Sequence, residues 1–216
     1  MVKVFLSYHH KDRRIAGRLK ESLGVLGMDV FLAHDDLEPS TEWQGEILKK
    51  LKQCDVFMPL LTEAFRSSLW TDQETGIAFA SKKLILPLKL SADPYGFIGK
   101  LQAQRVRPGP EGTCWKIAGV LASRPPLREP IRDGVIAAFL KSSSFEEADR
   151  RAAALLKFQP FSKAELNRIV DGGASNTQIY GGWASRDIVK KLIAGNKSRL
   201  KRGVIERFQK QVASWC

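Results

Sequence analysis

The amino-terminal half of the chain alternates short apolar runs with segments of helical period, and that alternation admits few folds. Val2–Ser7 is a run of β-formers too short for a helix, as a buried strand would be. Ile15, Leu19, Leu23 and Leu26 then recur at helical spacing, and Gly27 ends the pattern. Met28–Leu32 reads as a second strand, residues 55–61 as a third, and residues 84–88 as a fourth, with Pro87 marking its end. Ser40 or Thr41 offers an N-cap for a helix through Ile47, Leu48 and Leu51, and residues 70–80 read as another helix. Strands separated by helices form a mostly parallel sheet covered on both faces. Ligands of such sheets bind at the carboxyl ends of the strands.

From about residue 130 the pattern changes. Residues 131–140, 145–157, 162–170 and 184–194 read as helices, interrupted at Gly172-Gly173 and Gly181-Gly182, with no strand. The charge changes as well. Of the formal +12, residues 1–123 hold 17 Lys/Arg against 14 Asp/Glu, and residues 124–216 hold 18 against 9. Pro125-Pro126 suits a linker. The expected organisation is therefore an α/β domain over 1–123 and a small helical domain over 124–216. Within the latter, residues 186–210 are strongly basic, opposed only by Asp187 and Glu206. Such a run is usually a solvated helical face. Nucleic acid is the alternative partner, with Tyr180, Trp183 and Phe208 widely spaced for base stacking.

Several classes fall away. No apolar run reaches the ~18 residues that a membrane span needs, and the amino terminus lacks a signal-peptide pattern. Cys54, Cys114 and Cys216 are scattered, without CxxC or Cys/His spacing, so no disulfide framework or metal site is expected and the setting reads as cytoplasmic. There is no G-x-G-x-x-G loop, which argues against a dinucleotide-dependent dehydrogenase. His9, His10 and His34 all fall in loops expected at one edge of the sheet, a grouping that suits a ligand rim better than a zinc site.

Four segments carry a more specific signal. The first strand runs into its loop as Val4-Phe5-Leu6-Ser7-Tyr8, followed by Asp12. The second continues as Val30-Phe31-Leu32-Ala33-His34-Asp35-Asp36-Leu37-Glu38-Pro39-Ser40-Thr41-Glu42-Trp43. The third reads Cys54-Asp55-Val56-Phe57-Met58-Pro59-Leu60-Leu61-Thr62, and the fourth Ser68-Leu69-Trp70-Thr71-Asp72-Gln73-Glu74. In this order and at these intervals they resemble a TIR (Toll/interleukin-1 receptor) domain: its F-I-S-Y-x-x-x-D opening, its BB loop, its third strand and its S-x-W-x-x-x-E helix. The resemblance covers the chain to about residue 120. It departs in the BB loop, where Ser40 replaces the usual Gly and the acid after the second strand is displaced, leaving Asp35 and Asp36 as candidates for its role.

The resemblance implies a flavodoxin-like sheet and the chemistry of TIR domains that cleave NAD between nicotinamide and ribose. It points to Glu74 as the catalytic carboxylate. Phe5, Ser7, Tyr8, His9, Asp35, Leu37, Trp43 and Trp70 are the implied substrate contacts, with NAD as substrate and neither cofactor nor metal. Leu37 and Trp43 would flank a mobile loop over the cleft. Trp70 and Glu74, four residues apart, share one helix face. The products would be nicotinamide and ADP-ribose or a cyclic isomer. In the bacterial, Thoeris-like setting that the chain resembles, such a product is an antiphage signal sensed by a separate effector, and TIR–TIR contacts assemble the enzyme. The rival readings are a non-catalytic TIR adaptor and a virulence factor acting on host TIR signalling.

Overall fold

The computed structural model describes residues 1–32, 43–107 and 111–215. They fall into two compact units, Met1–Ile131 and Arg132–Cys216. In the first, β1 (Val2–Ser7) leads into α1 (Arg13–Val25), β2 (Met28–Leu32), α2 (Trp43–Gln53) and β3 (Val56–Leu61). A short α3 (Glu63–Arg66) and α4 (Leu69–Ala80) follow, then β4 (Leu84–Ile85), β5 (Leu88–Lys89), β6 (Gln104–Arg105) and α5 (Glu111–Ala122). All pairings are parallel, in the order β2-β1-β3-β5-β6, with β4 also on β3. This is the flavodoxin-like α/β arrangement.

The expected fourth strand is broken. Pro87 has no N–H to give the ladder, so β4 and β5 pair with β3 on either side of it. Strand β6 has no signal in the sequence: it is two polar residues, placed by the bond from Gln104 N–H to the Pro87 carbonyl at 2.8 Å. The central position of β3 follows from its composition, since every residue of Val-Phe-Met-Pro-Leu-Leu is buried.

Side chains alternate across a strand, so Phe5 and Ser7 of β1 share one face. On that face Phe5 joins Phe57 of β3, Ile47 and Leu51 of α2, and Ala78 of α4 in a buried cluster. Helix α1 packs on β2 and α5 on the other layer, with Leu19, Leu23 and Ile117 wholly buried.

Helix α6 (Pro125–Leu140) begins on the diproline itself. The expected linker is thus a helix start, because a first-turn residue needs no N–H acceptor and the fixed φ of proline suits it. The division between units falls at Ile131/Arg132 instead. The second unit continues with α7 (Phe145–Leu155), α8 (Lys163–Ala174), α9 (Thr177–Tyr180), α10 (Ala184–Gly195) and α11 (Arg202–Trp215). Helix α11 lies beyond the last helix expected; its buried stripe is thin, Phe208 and Val212 among charged neighbours. Arg132 and Glu165 tie α6 to the start of α8 through two bonds of 2.7 and 2.8 Å. Among the described residues no helix is long and apolar enough to cross a membrane.

Gly172-Gly173, expected to break a helix, lie inside α8. They are there for close packing: a Cβ on Gly172 would sit 2.7 Å from Leu140, and one on Gly173 3.4 Å from Ile179. Gly182 is tighter still, its Cβ position 2.3 Å from Ser185 Oγ and 2.7 Å from the Gln178 carbonyl. Because backbone closes one side, relief requires the chain to move. Gly182→Ala should lower the unfolding free energy of the second unit by about 1–3 kcal/mol, the usual range for overpacking. Chemical denaturation of the full chain checks this, and an unchanged midpoint would contradict it.

Candidate active site

Helix α4 is set in place from its first turn. Ser68 is its N-cap, and the Thr71 hydroxyl donates to the Phe65 carbonyl at 2.7 Å, binding α4 to the short helix before it. Asp12 of the first loop accepts a 2.7 Å bond from Thr62, which itself caps α3. The acid that closes the first sequence motif therefore fixes the loop after β1 to the end of β3. On the outer side of α4, Tyr95 donates to Asp72 at 2.5 Å; burial and the Asp72 carboxylate push its hydroxyl pKa up.

Trp70, Ile77 and Ala78 of α4 pack against the cluster around Phe5 and Phe57. Glu74 occupies the middle of that inward stripe, at a place where an apolar side chain is the usual occupant. It is 1% exposed. Both carboxylate oxygens are held: the Trp70 indole donates to Oε1 at 2.9 Å, and the buried Ser7 hydroxyl at the end of β1 donates to Oε2. Burial pushes the Glu74 carboxyl up to about 7, against the pull of those two bonds. Near neutral pH the group is poised between its charged and neutral forms, in surroundings of low polarity where a charge acts strongly on its neighbours.

The other residues expected at this site are distributed differently. Ser7 is wholly buried, as Glu74 nearly is, and its hydroxyl orients the carboxylate. Phe5 and Tyr8 have no exposed surface. Phe5 stacks against Phe57 at 5.7 Å and near Phe31 at 5.4 Å, within the core. His9 is partly exposed beside Ser7 and Tyr8; its Nδ1 accepts from Lys11 N–H at 3.3 Å. Burial and the adjacent His10 lower its pKa. Trp43 opens α2, but its side chain, together with Asp35, Leu37 and the expected mobile loop, lies outside the described residues.

A separate groove of about 810 Å³ runs along β2 between α1 and α2, lined by Lys20, Asp29, Phe31 and Lys50 among others. Glu74 does not line it, and it reaches the amino ends of the strands, Met1 and Met28. It is not where a sheet of this kind binds its ligand.

With the sheet order and the buried Ser7–Glu74–Trp70 arrangement in place, the comparison with known sequences decides the family. Residues 4–113 match the TIR domain. The chain belongs to the TIR domain family. No curated protein sequence matches it significantly. The TIR domain of the Toll-related receptor TRR-2 from Hydra magnipapillata is 15% identical, with 47% of this chain and 82% of that one covered and a TM-score of 0.43. The TIR domains of the activated Roq1 resistosome, which directly recognises the pathogen effector XopQ, are 16% identical, covering 73% and 96% at 0.40. A 2-deoxyribosyltransferase from Bacillus psychrosaccharolyticus is 14% identical, covering 50% and 87% at 0.39. The assignment rests on the family match and not on these distant structures.

In this TIR domain the elevated pKa of Glu74 couples its titration to stability. The folded-state value of about 7 lies above the ordinary 4.5, so the native state is favoured by protonation. That contribution is complete below pH 4.5 and is lost as pH rises through 7. At pH 8 the buried ionised form costs about 3 kcal/mol. Glu74→Gln, neutral throughout, should gain on the parent by about this amount between pH 4.5 and pH 8. Denaturation curves at several pH values would show it; parallel pH profiles for the two proteins would contradict a buried carboxylate.

Proposed function

We propose that this TIR domain cleaves NAD at the bond between nicotinamide and ribose, with Glu74 as the catalytic carboxylate. The single observation that supports the reading is a carboxylate at a core position of α4, with both oxygens bound and its environment nearly dry. As a stability residue it is unfavourable; as a fixed charge it has a use. The nicotinamide of NAD is cationic and leaves neutral, taking the bonding electron pair. Positive charge then develops on the ribose carbon, and a preorganised carboxylate beside it gains interaction as it forms. Water completes the reaction, losing a proton and giving ADP-ribose, or a nucleophile of the same molecule closes a cyclic isomer. Substrate entry has to uncover Glu74, and the hydroxyl of Ser7 and the indole of Trp70 keep it aimed. Trp70, bonded to the carboxylate, and His9 are the expected contacts among the described residues that keep exposed surface.

In this reading the product is an immune signal in bacterial antiphage defence, passed to a separate effector, and TIR–TIR contacts between copies complete the active assembly. The adaptor alternative needs those contacts and no glutamate chemistry.

Incubation of the purified full chain with NAD, with products resolved by chromatography and mass spectrometry, tests both. The parent should release nicotinamide, and its specific activity should rise with protein concentration. Glu74→Gln should lose about two to three orders of magnitude, equivalent to roughly 3–4 kcal/mol, as for removal of one preorganised electrostatic contact. Because the carboxylate acts ionised, kcat/KM should climb as pH rises through about 7. A folded Glu74→Gln protein with undiminished turnover would leave the adaptor reading standing, and activity independent of concentration in a monomer would remove the assembly requirement.

A further inference from the structure

We propose that the second unit binds single-stranded nucleic acid on the face of α10 that carries Trp183, Arg186 and Lys190. Most acids of this unit are already committed to partners of their own. Residues 132–216 contain eight arginines, eight lysines and eight acids. Six of the acids pair with arginines of the same unit. A seventh, Asp149, caps α10 by accepting from Ser185 N–H at 2.7 Å. The eighth, Asp187, is exposed in the first turn of α10; against this single uncommitted acid stand eight lysines, none with a carboxylate partner among the described residues. An excess of this kind is not a mosaic of surface ion pairs; it is free to neutralise phosphates.

The second observation is an aromatic held outward. Trp183 is 78% exposed, the most exposed aromatic side chain of its unit. Its backbone is not loose. Asp149 clamps the first turn of α10 from α7, the Ser185 hydroxyl donates to the Ile179 carbonyl at 3.0 Å, and Gly181 and Gly182 are packed so closely that neither has space for a Cβ. The indole is therefore presented from a fixed point. The Arg186 guanidinium lies over its ring at 5.9 Å and pairs with no carboxylate among the described residues. Trp183, Arg186 and Lys190 follow each other at three- and four-residue steps, which places them on one helix face, with Lys191 adjacent.

A ring with an open face, flanked by cations, is the unit from which single-strand sites are built: the aromatic stacks on a base and the cations follow the phosphates. A duplex keeps its base faces covered. A lipid surface is disfavoured because the apolar side of α10, Val189, Leu192 and Ile193, is buried in the unit's own core, so the helix has no apolar face to insert.

Fluorescence anisotropy of the full chain with a fluorescein-labelled oligothymidylate, an equal-length duplex and phosphatidylserine vesicles as competitors tests the proposal. The single strand should bind with quenching of tryptophan emission, and more tightly than the duplex. Trp183→Ala should weaken binding about tenfold, within the range for losing one base–aromatic stack, and Trp183→Phe should restore most of it. K190E/K191E should weaken binding and make its salt dependence shallower. Each variant is an exposed substitution, and an unchanged thermal midpoint confirms its fold. Absence of binding, a preference for duplex or for vesicles, or affinity indifferent to Trp183→Ala would each overturn the proposal.

Discussion

The buried carboxylate of Glu74 is the constraint around which the first unit is arranged. An ionisable group at a core position is tolerated only when its oxygens are bound. Here one donor comes from the same helix, four residues earlier, and the other from the end of the interior strand β1. Neither donor is sufficient without the packing that brings α4 against β1. That packing is supplied by Phe5, Phe57, Ile47 and Ala78 around the same point. The apolar cluster and the polar triad are thus one construction, in which hydrophobic contacts set the distance that the hydrogen bonds require.

The same construction relates fold to chemistry. A parallel sheet gathers the carboxyl ends of its strands at one edge, and Ser7 is the last residue of β1. Asp12 and Thr62 fix the loop that follows, and Thr71 fixes the start of α4. The position of the carboxylate is therefore determined from three sides by the protein alone, which is the preorganisation that the proposed chemistry needs. Its cost appears as the raised pKa of Glu74.

Much of this was legible in the sequence, for identifiable reasons. Strands β1 and β2 are short apolar runs, each with one exposed charge, Lys3 and Asp29, at its second position, and Ser7 and Gly27 mark where the runs end and begin. The i, i+4 spacing of Trp70 and Glu74 places both on one face without any structure. The contact with Ser7 cannot be read in this way, because it depends on how α4 sits on β1. Nor can the burial of Phe5 and Tyr8, since a motif at a strand end does not say which side chains turn inward. Prolines and glycines misled for a common reason. Pro125-Pro126 and Gly172-Gly173 break helices in their interiors, but a first turn and a close helix crossing are the two settings that suit them. The setting of Trp183 belongs to the same class: a lone tryptophan after two glycines has no meaning until the packing around those glycines is known.

The most direct test of the central claim is the titration of Glu74 itself, followed through the side-chain carboxyl carbon by NMR on selectively labelled full-length protein, with and without NAD. A midpoint near 7 for the free protein, moving downward when the cationic nicotinamide ring is bound, is the result expected of a buried carboxylate that serves a developing cation. A midpoint at the ordinary glutamate value, indifferent to NAD, would contradict both the buried site and the chemistry assigned to it.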